Sequence, residues 1–213
     1  MKNIMGLVTA FYLGLILVTA FPVESSAAKL TELVNSCNDC HGAAGASRDP
    51  EFPIIGGLSA QYTIDSFAAY KDKTRPCEQV KYPSGPRLGE LSDMCKAVDK
   101  LTQEEIKQFA DYYAAQPFVS AVQAFDKSLI KRGEDVHNLQ CVKCHENAGS
   151  SAEDDSGILA GQWMRYMEQQ FDDYAAGKRQ MPAKMKQKMD KLSAEDIKAL
   201  IHYYGSFQGL AVQ

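Results

Sequence analysis

Beyond residue 21 the sequence has no apolar run long enough to cross a bilayer, which takes about 20 residues. Nor does it have a basic excess: 23 Lys and Arg stand against 27 Asp and Glu, a net charge of −4. That balance argues against nucleic acid and anionic membrane surfaces as partners. No stretch alternates apolar and polar residues convincingly, so no sizeable sheet is expected. Cysteine is scarce, with six residues, and none lies near the apolar N-terminal run, so lipoprotein processing is not indicated.

That N-terminal run, Ile4 to Phe21, follows Lys2 and precedes Ser25-Ser26-Ala27. A short positive start, an apolar stretch and small residues predict an export signal over 1–27, cleaved after Ala27. An uncleaved anchor is the alternative, since the run could span a bilayer. Cleavage removes Lys2 and Glu24, so the mature net charge stays at −4. Export places the mature chain in the periplasm, with no further membrane span.

Four of the six cysteines fall in two boxes, Cys37-Asn38-Asp39-Cys40-His41 and Cys141-Val142-Lys143-Cys144-His145. Two thiols at this spacing can form thioethers with the two vinyl groups on one edge of a porphyrin. The next residue then turns an imidazole onto the iron from the same side. A lone Cys-x-x-Cys also suits a redox pair or half a zinc site. Two pairs, each followed at once by His, point to two covalent haem c groups. Cys37, Cys40, Cys141 and Cys144 would attach them, with His41 and His145 as iron ligands. Attachment needs reduced cysteines meeting haem outside the cytoplasm, which agrees with export.

The second box begins 104 residues after the first, and the same offset pairs Gly57 with Gly161, Tyr62 with Tyr166, Tyr70 with Tyr174 and Arg75 with Arg179. Further on the offset falls to 91, pairing Glu104 with Glu195 and Tyr112-Tyr113 with Tyr203-Tyr204. This is internal duplication, with 13 extra residues in the first half between Arg75 and Met94. An all-α chain of two haem domains is expected, 28–118 and 119–213, with a linker near Gln116–Asp126 where Pro117 breaks the helix. Each half is read as a helix ending in its box, a middle helix (58–71; 162–176) and a final helix (102–116; 193–207). Thr102 with Glu105, and Ser193 with Asp196, form candidate capping boxes. Ile106, Phe109, Tyr113 and Ile197, Leu200, Tyr204 recur at helical spacing and are expected to pack on haem. A half of this size is small for an independent core, so the protein without haem is expected to fold poorly.

The second axial ligand must come from elsewhere in each half. Met94 and Met185 each lie seven residues before the Leu that opens the final helical segment, Leu101 or Leu192. A thioether is a soft, neutral ligand that favours Fe(II) and raises the potential. Met181, followed by Pro182, is the alternative to Met185, and Met189 is also near. His137 and His202 are read as surface or satisfied helix residues, not ligands. Carbonyls in the loops at Pro53 and Gly157 are expected to accept the N–H of the axial imidazoles. Cys77 and Cys95, the two remaining cysteines, flank the extra loop and are expected to form a disulfide outside the cytoplasm.

Two His/Met haem domains in tandem resemble the periplasmic dihaem cytochromes of the cytochrome c4 type. Ile158-Leu159-Ala160-Gly161-Gln162-Trp163, and Lys178-Arg179-Gln180-Met181-Pro182 leading to Met185, also resemble the cytochrome subunit of flavocytochrome c sulfide dehydrogenase. The Cys77/Cys95 insertion departs from that subunit's pattern. The resemblance implies two class I cytochrome c folds about a pseudo-twofold axis, with haems facing across the interface. It also implies that any sulfide chemistry happens at flavin on another chain.

Three functions follow as expectations. The first is a pure electron carrier. The second is the electron-accepting subunit of a dehydrogenase complex. The third, an autonomous haem enzyme such as a dihaem peroxidase, needs an open coordination site that two methionines would fill. No catalytic residue is assigned. Redox proteins are the expected partners, with a flavoprotein subunit or a terminal oxidase as candidates, and the acidic surface favours a basic one.

Overall fold

The computed structural model describes residues 26–209 and 211–212. All but the last two residues of the expected export signal lie outside the described residues. No helix among them is long and apolar enough to cross a membrane.

The first half contains α1 (Ser26–His41), α2 (Ala60–Lys71), α3 (Met94–Asp99) and α4 (Gln103–Ala114). The second contains α5 (Ile130–Val136), a single tight turn α6 (Glu146–Gly149), α7 (Met164–Ala175), α8 (Ala183–Met189) and α9 (Ala194–Gly205). Strands are two residues long. β1 (Val80–Lys81) pairs antiparallel with β2 (Leu91–Ser92), making the extra loop a hairpin. β3 (Phe118–Val119) pairs antiparallel with β4 (Ala211–Val212).

Local chemistry sets the helix starts. Thr102 and Ser193 cap α4 and α9 by accepting from the backbone N–H of Glu105 and Asp196, whose carboxylates take the cap N–H in return. Each such cap stabilises its helix by about 1 kcal/mol. The middle helices begin two residues later than the sequence suggests. Ser59 caps α2 by accepting from Tyr62 N–H, so Leu58 stays outside the helix and joins the core.

The final helices supply the cores. Ile106, Phe109 and Tyr113 pack with Val34, Phe67 and Val98 in the first half. Leu200, Ile201, Tyr203 and Tyr204 pack with Met167 in the second, where Ile197 is only partly buried. A third cluster joins Ile54, Leu58, Phe118, Ala121 and Ile158 across the two halves. The expected linker therefore lies against both bodies. Phe118 is fully buried, and Ala121 N–H donates to Gly161 O at 2.7 Å.

Candidate functional site

The first box closes α1. His41 is buried, and its Nδ1–H donates to Pro53 O at 3.0 Å. The ring is thereby fixed as the tautomer that leaves Nε2 free to bind a metal. Burial lowers the His41 pKa, and the Pro53 carbonyl partly offsets that effect. Inside the box, Asn38 Oδ1 accepts from the Tyr113 hydroxyl at 2.8 Å.

The second box is built differently, against expectation. α5 stops at Val136, and His137–Cys141 form a π turn with Val142 N–H donating to His137 O at 3.0 Å. The box after Cys141 is a succession of turns and not the end of an α-helix. One substitution between the repeats accompanies this difference. Asn38 has Val142 as its counterpart, which cannot accept from Tyr204. The Tyr204 hydroxyl instead meets His137 Nδ1 at 2.9 Å, one turn earlier. The His137 ring lies 5.7 Å from each of the Tyr203 and Tyr204 rings.

His137 is thus neither a surface nor a fully satisfied residue. It is 1% exposed, its Nε2 has no partner, and burial lowers its pKa. His145 Nδ1 is likewise buried without a partner, so the Gly157 carbonyl does not play the part that Pro53 plays. Gly157 has φ +79°, and its α-carbon faces the Tyr62 ring of the other half. His202 behaves as expected, its Nδ1 accepting from Asp126 N–H at 3.0 Å.

Met94 is the first residue of α3 and packs against the first-half core. Met185 lies within α8, with Met181 just before that helix. Cys77 and Cys95 are joined in a disulfide with Cα atoms 5.7 Å apart, tying the hairpin's start to the residue after Met94.

Between the halves lies a polar network that the sequence pairs without showing their meeting. Arg75 is buried and donates to Tyr166 Oη at 2.6 Å and Gln170 Oε1 at 3.0 Å, while Arg179 donates to the same Oε1 at 2.8 Å. Arg75 stacks over Tyr70 at 4.7 Å and Arg179 over Tyr174 at 4.6 Å. Neither guanidinium forms a salt bridge among the described residues. Burial pushes the Tyr62 hydroxyl's pKa up, but Arg75 and Arg179 more than reverse it.

The donor set fits covalently held haem better than the alternatives. Burial pushes the Cys37 and Cys40 thiols to about 11 and raises Cys141, whereas redox dithiols have lowered values. Among the described residues, the one close group of three metal-ligating types is Cys77, Asp93 and Cys95, so neither box closes a zinc site. The His41 Nε2 left free by the Pro53 bond and the buried Arg75 guanidinium without a carboxylate suit a group that brings iron and acidic side chains.

Comparison with known proteins agrees. The chain is 27% identical over 186 residues to cytochrome c4 of Azotobacter vinelandii, covering 82% of this chain and 84% of that one. Reduced recombinant cytochrome c4 from Pseudomonas stutzeri superposes with a TM-score of 0.67 at 26% identity, covering 86% of this chain and 99% of that one. The chain belongs to the dihaem cytochromes of the c4 type. Cytochrome c-554(548) of Halomonas halodenitrificans is 30% identical over 83 residues, 39% of this chain and 87% of its own length. Residues 128–203 match the family of cytochrome c oxidase, cbb3-type, subunit III. This cytochrome accordingly has two class I cytochrome c domains and two covalent haem c groups, and it is an electron-transfer protein. The sulfide dehydrogenase subunit is not favoured as a reading.

Proposed function

We propose that this chain is a periplasmic one-electron relay with both irons ligated by His and Met. The domains would be 28–118 and 119–213, following an export signal at 1–27. Cys37 and Cys40 hold one haem, with His41 and Met94 as its axial ligands. Cys141 and Cys144 hold the other, with His145 and Met185, Met181 being the alternative to Met185. When bound, haem c supplies an iron that gains or loses one electron.

The observation that carries this reading is the His41–Pro53 hydrogen bond. The Pro53 carbonyl holds the ring so that Nε2 is the available ligand atom, and it makes the imidazole a stronger donor. A methionine thioether opposite would favour the reduced state. Two filled axial positions leave no place for sulfide or peroxide, so the protein passes electrons without turnover. Arg75 and Arg179 are the cations available to the haem carboxylates, near the seam where the two domains meet.

The test is stopped-flow mixing of the holoprotein with a small reductant, followed by assays with peroxide and with sulfide. Both haems should reduce readily and neither compound should be consumed catalytically. Catalytic loss of either, with both methionines still bound, would contradict the relay.

A further inference from the structure

The Cys77–Cys95 bridge has a third metal-ligating side chain beside it. Among the described residues, only Cys77, Asp93 and Cys95 bring three such ligand atoms within 4.8 Å of one another. Cys77 and Cys95 are 18 residues apart in sequence, and the hairpin joins them. Val80 pairs with Ser92, and continuing that register past the strands sets Cys77 opposite Cys95. Asp93 caps α3 and Cys95 is the second residue of that helix, so one helix start positions both.

The Asp93 carboxylate has an oxygen to spare. Oδ1 accepts from the Lys96 N–H at 2.9 Å as the helix cap. Oδ2 meets the Lys96 ammonium at 3.4 Å, and that side chain is 62% exposed, so it can turn into water at little cost. Asp93 itself is buried, and a buried carboxylate released from its lysine gains from another cation. The three residues line a cleft of about 450 Å³, ample for a hydrated ion to enter. Lys73, Arg75 and Lys96 line it too, as does Asp99. Two thiolates, one carboxylate and a divalent cation leave one net negative charge, which these bases favour.

The ligand set selects the metal. Thiolates are soft ligands and prefer zinc to magnesium or calcium. Zinc–sulfur bonds of about 2.3 Å at tetrahedral angles put two sulfurs about 3.8 Å apart. Side-chain rotation reaches that separation from Cα atoms 5.7 Å apart. Two sulfurs and one carboxylate oxygen leave the fourth position to water.

We propose that Cys77 and Cys95, when reduced, form with Asp93 a zinc site that closes the same loop as the disulfide. The reduced state arises at haem attachment, which needs thiols at the boxes and so presents this pair to the same dithiol reductant. In that exchange the sulfur–sulfur bond takes up two electrons and two protons, and the reductant's two thiols become a disulfide. Zinc binding then releases both protons from the pair. Disulfide and zinc are thus alternative closures of the extra loop, next to Met94. The inference rests on haem held by thioethers at the boxes, whose free thiols would otherwise compete for the metal.

The experiment uses holoprotein reduced without oxygen by a phosphine, which leaves thioethers intact, and zinc ions alone as the probe. Thiol counting should find Cys77 and Cys95 and no others. Native mass spectrometry should show one zinc on the reduced protein, none on the unreduced protein, and no magnesium on either. Chelator competition should show zinc binding weakened about tenfold or more by Asp93→Asn. Asparagine caps a helix as well as aspartate does, so α3 keeps its start. If that variant altered the haem absorbance, Asp93→Ser, another capping residue, would take its place. Cys77→Ala/Cys95→Ala should bind no zinc. Zinc on the unreduced protein, or equal affinity without Asp93, would mean adventitious metal only and overturn the proposal. A disulfide that opens only when the protein unfolds would overturn it too. Two haems and two thiols without zinc would overturn the zinc site alone, whereas thiols at the boxes with haem missing from the mass would overturn haem attachment.

Discussion

Gln162 in the second half holds Ile54 in the first by both backbone groups at once. Its Oε1 accepts from Ile54 N–H at 2.9 Å and its Nε2 donates to Ile54 O at 2.9 Å, with both residues buried. Trp163 adds a bond from Nε1 to Ser47 O at 3.1 Å. Ile54 follows Pro53, whose carbonyl fixes His41. The second half therefore helps to fix the imidazole of the first.

Gln162→Leu keeps much of the side-chain volume but leaves the Ile54 N–H and C=O buried and unpaired. Each unpaired group costs about 1–3 kcal/mol, so the variant should lose about 2–6 kcal/mol in denaturant unfolding of the ferric holoprotein. The potential of the first haem should shift more than that of the second. A loss below about 0.5 kcal/mol would show that the bidentate contact contributes little.

The Cys77–Cys95 disulfide holds the residue next to Met94, so removing it should do more than lower stability. Cys77→Ala/Cys95→Ala should cost about 3 kcal/mol by the loop-entropy argument. It should also weaken the near-infrared Met–Fe(III) charge-transfer band of the first haem and leave that of the second unchanged. Thiol alkylation of the unfolded, unreduced wild type should label neither cysteine. Labelling of both would mean that no bridge forms.

His137 makes stability depend on pH with a definite sign. Burial lowers its pKa below the ordinary value of about 6.5, so the unfolded chain binds the proton more readily than the folded one. Its contribution is complete above about pH 6.5 and is lost as the pH falls from there toward the folded value. Thermal melts between pH 8 and pH 5 should show a smaller decrease for His137→Phe than for wild type. Equal decreases would remove His137 as a source of the dependence.

What was legible in the sequence was what depends on near neighbours or on the duplication. The two capping boxes follow from residues three apart, and the paired helices from the offsets of 104 and 91. The Pro53 carbonyl was readable because its loop precedes a matched position. His137 was not readable, because the Tyr204 hydroxyl that meets it lies 67 residues later. The π turn and the unpaired His145 Nδ1 occur alongside that long-range bond. Phe118 looked like part of a linker because its strand partner, Val212, lies at the far end of the chain.

The central claim is that a methionine completes each iron, Met94 in the first half and Met185 in the second. The near-infrared Met–Fe(III) charge-transfer band of the ferric holoprotein tests it most directly, measured in wild type, Met94→Ala, Met185→Ala and Met181→Ala. The account predicts that Met94→Ala and Met185→Ala each remove about half of the band, one iron of two, and that Met181→Ala leaves it intact. Loss with Met181→Ala in place of Met185→Ala would contradict the second-half assignment, and a wild type without the band would contradict the His/Met relay itself.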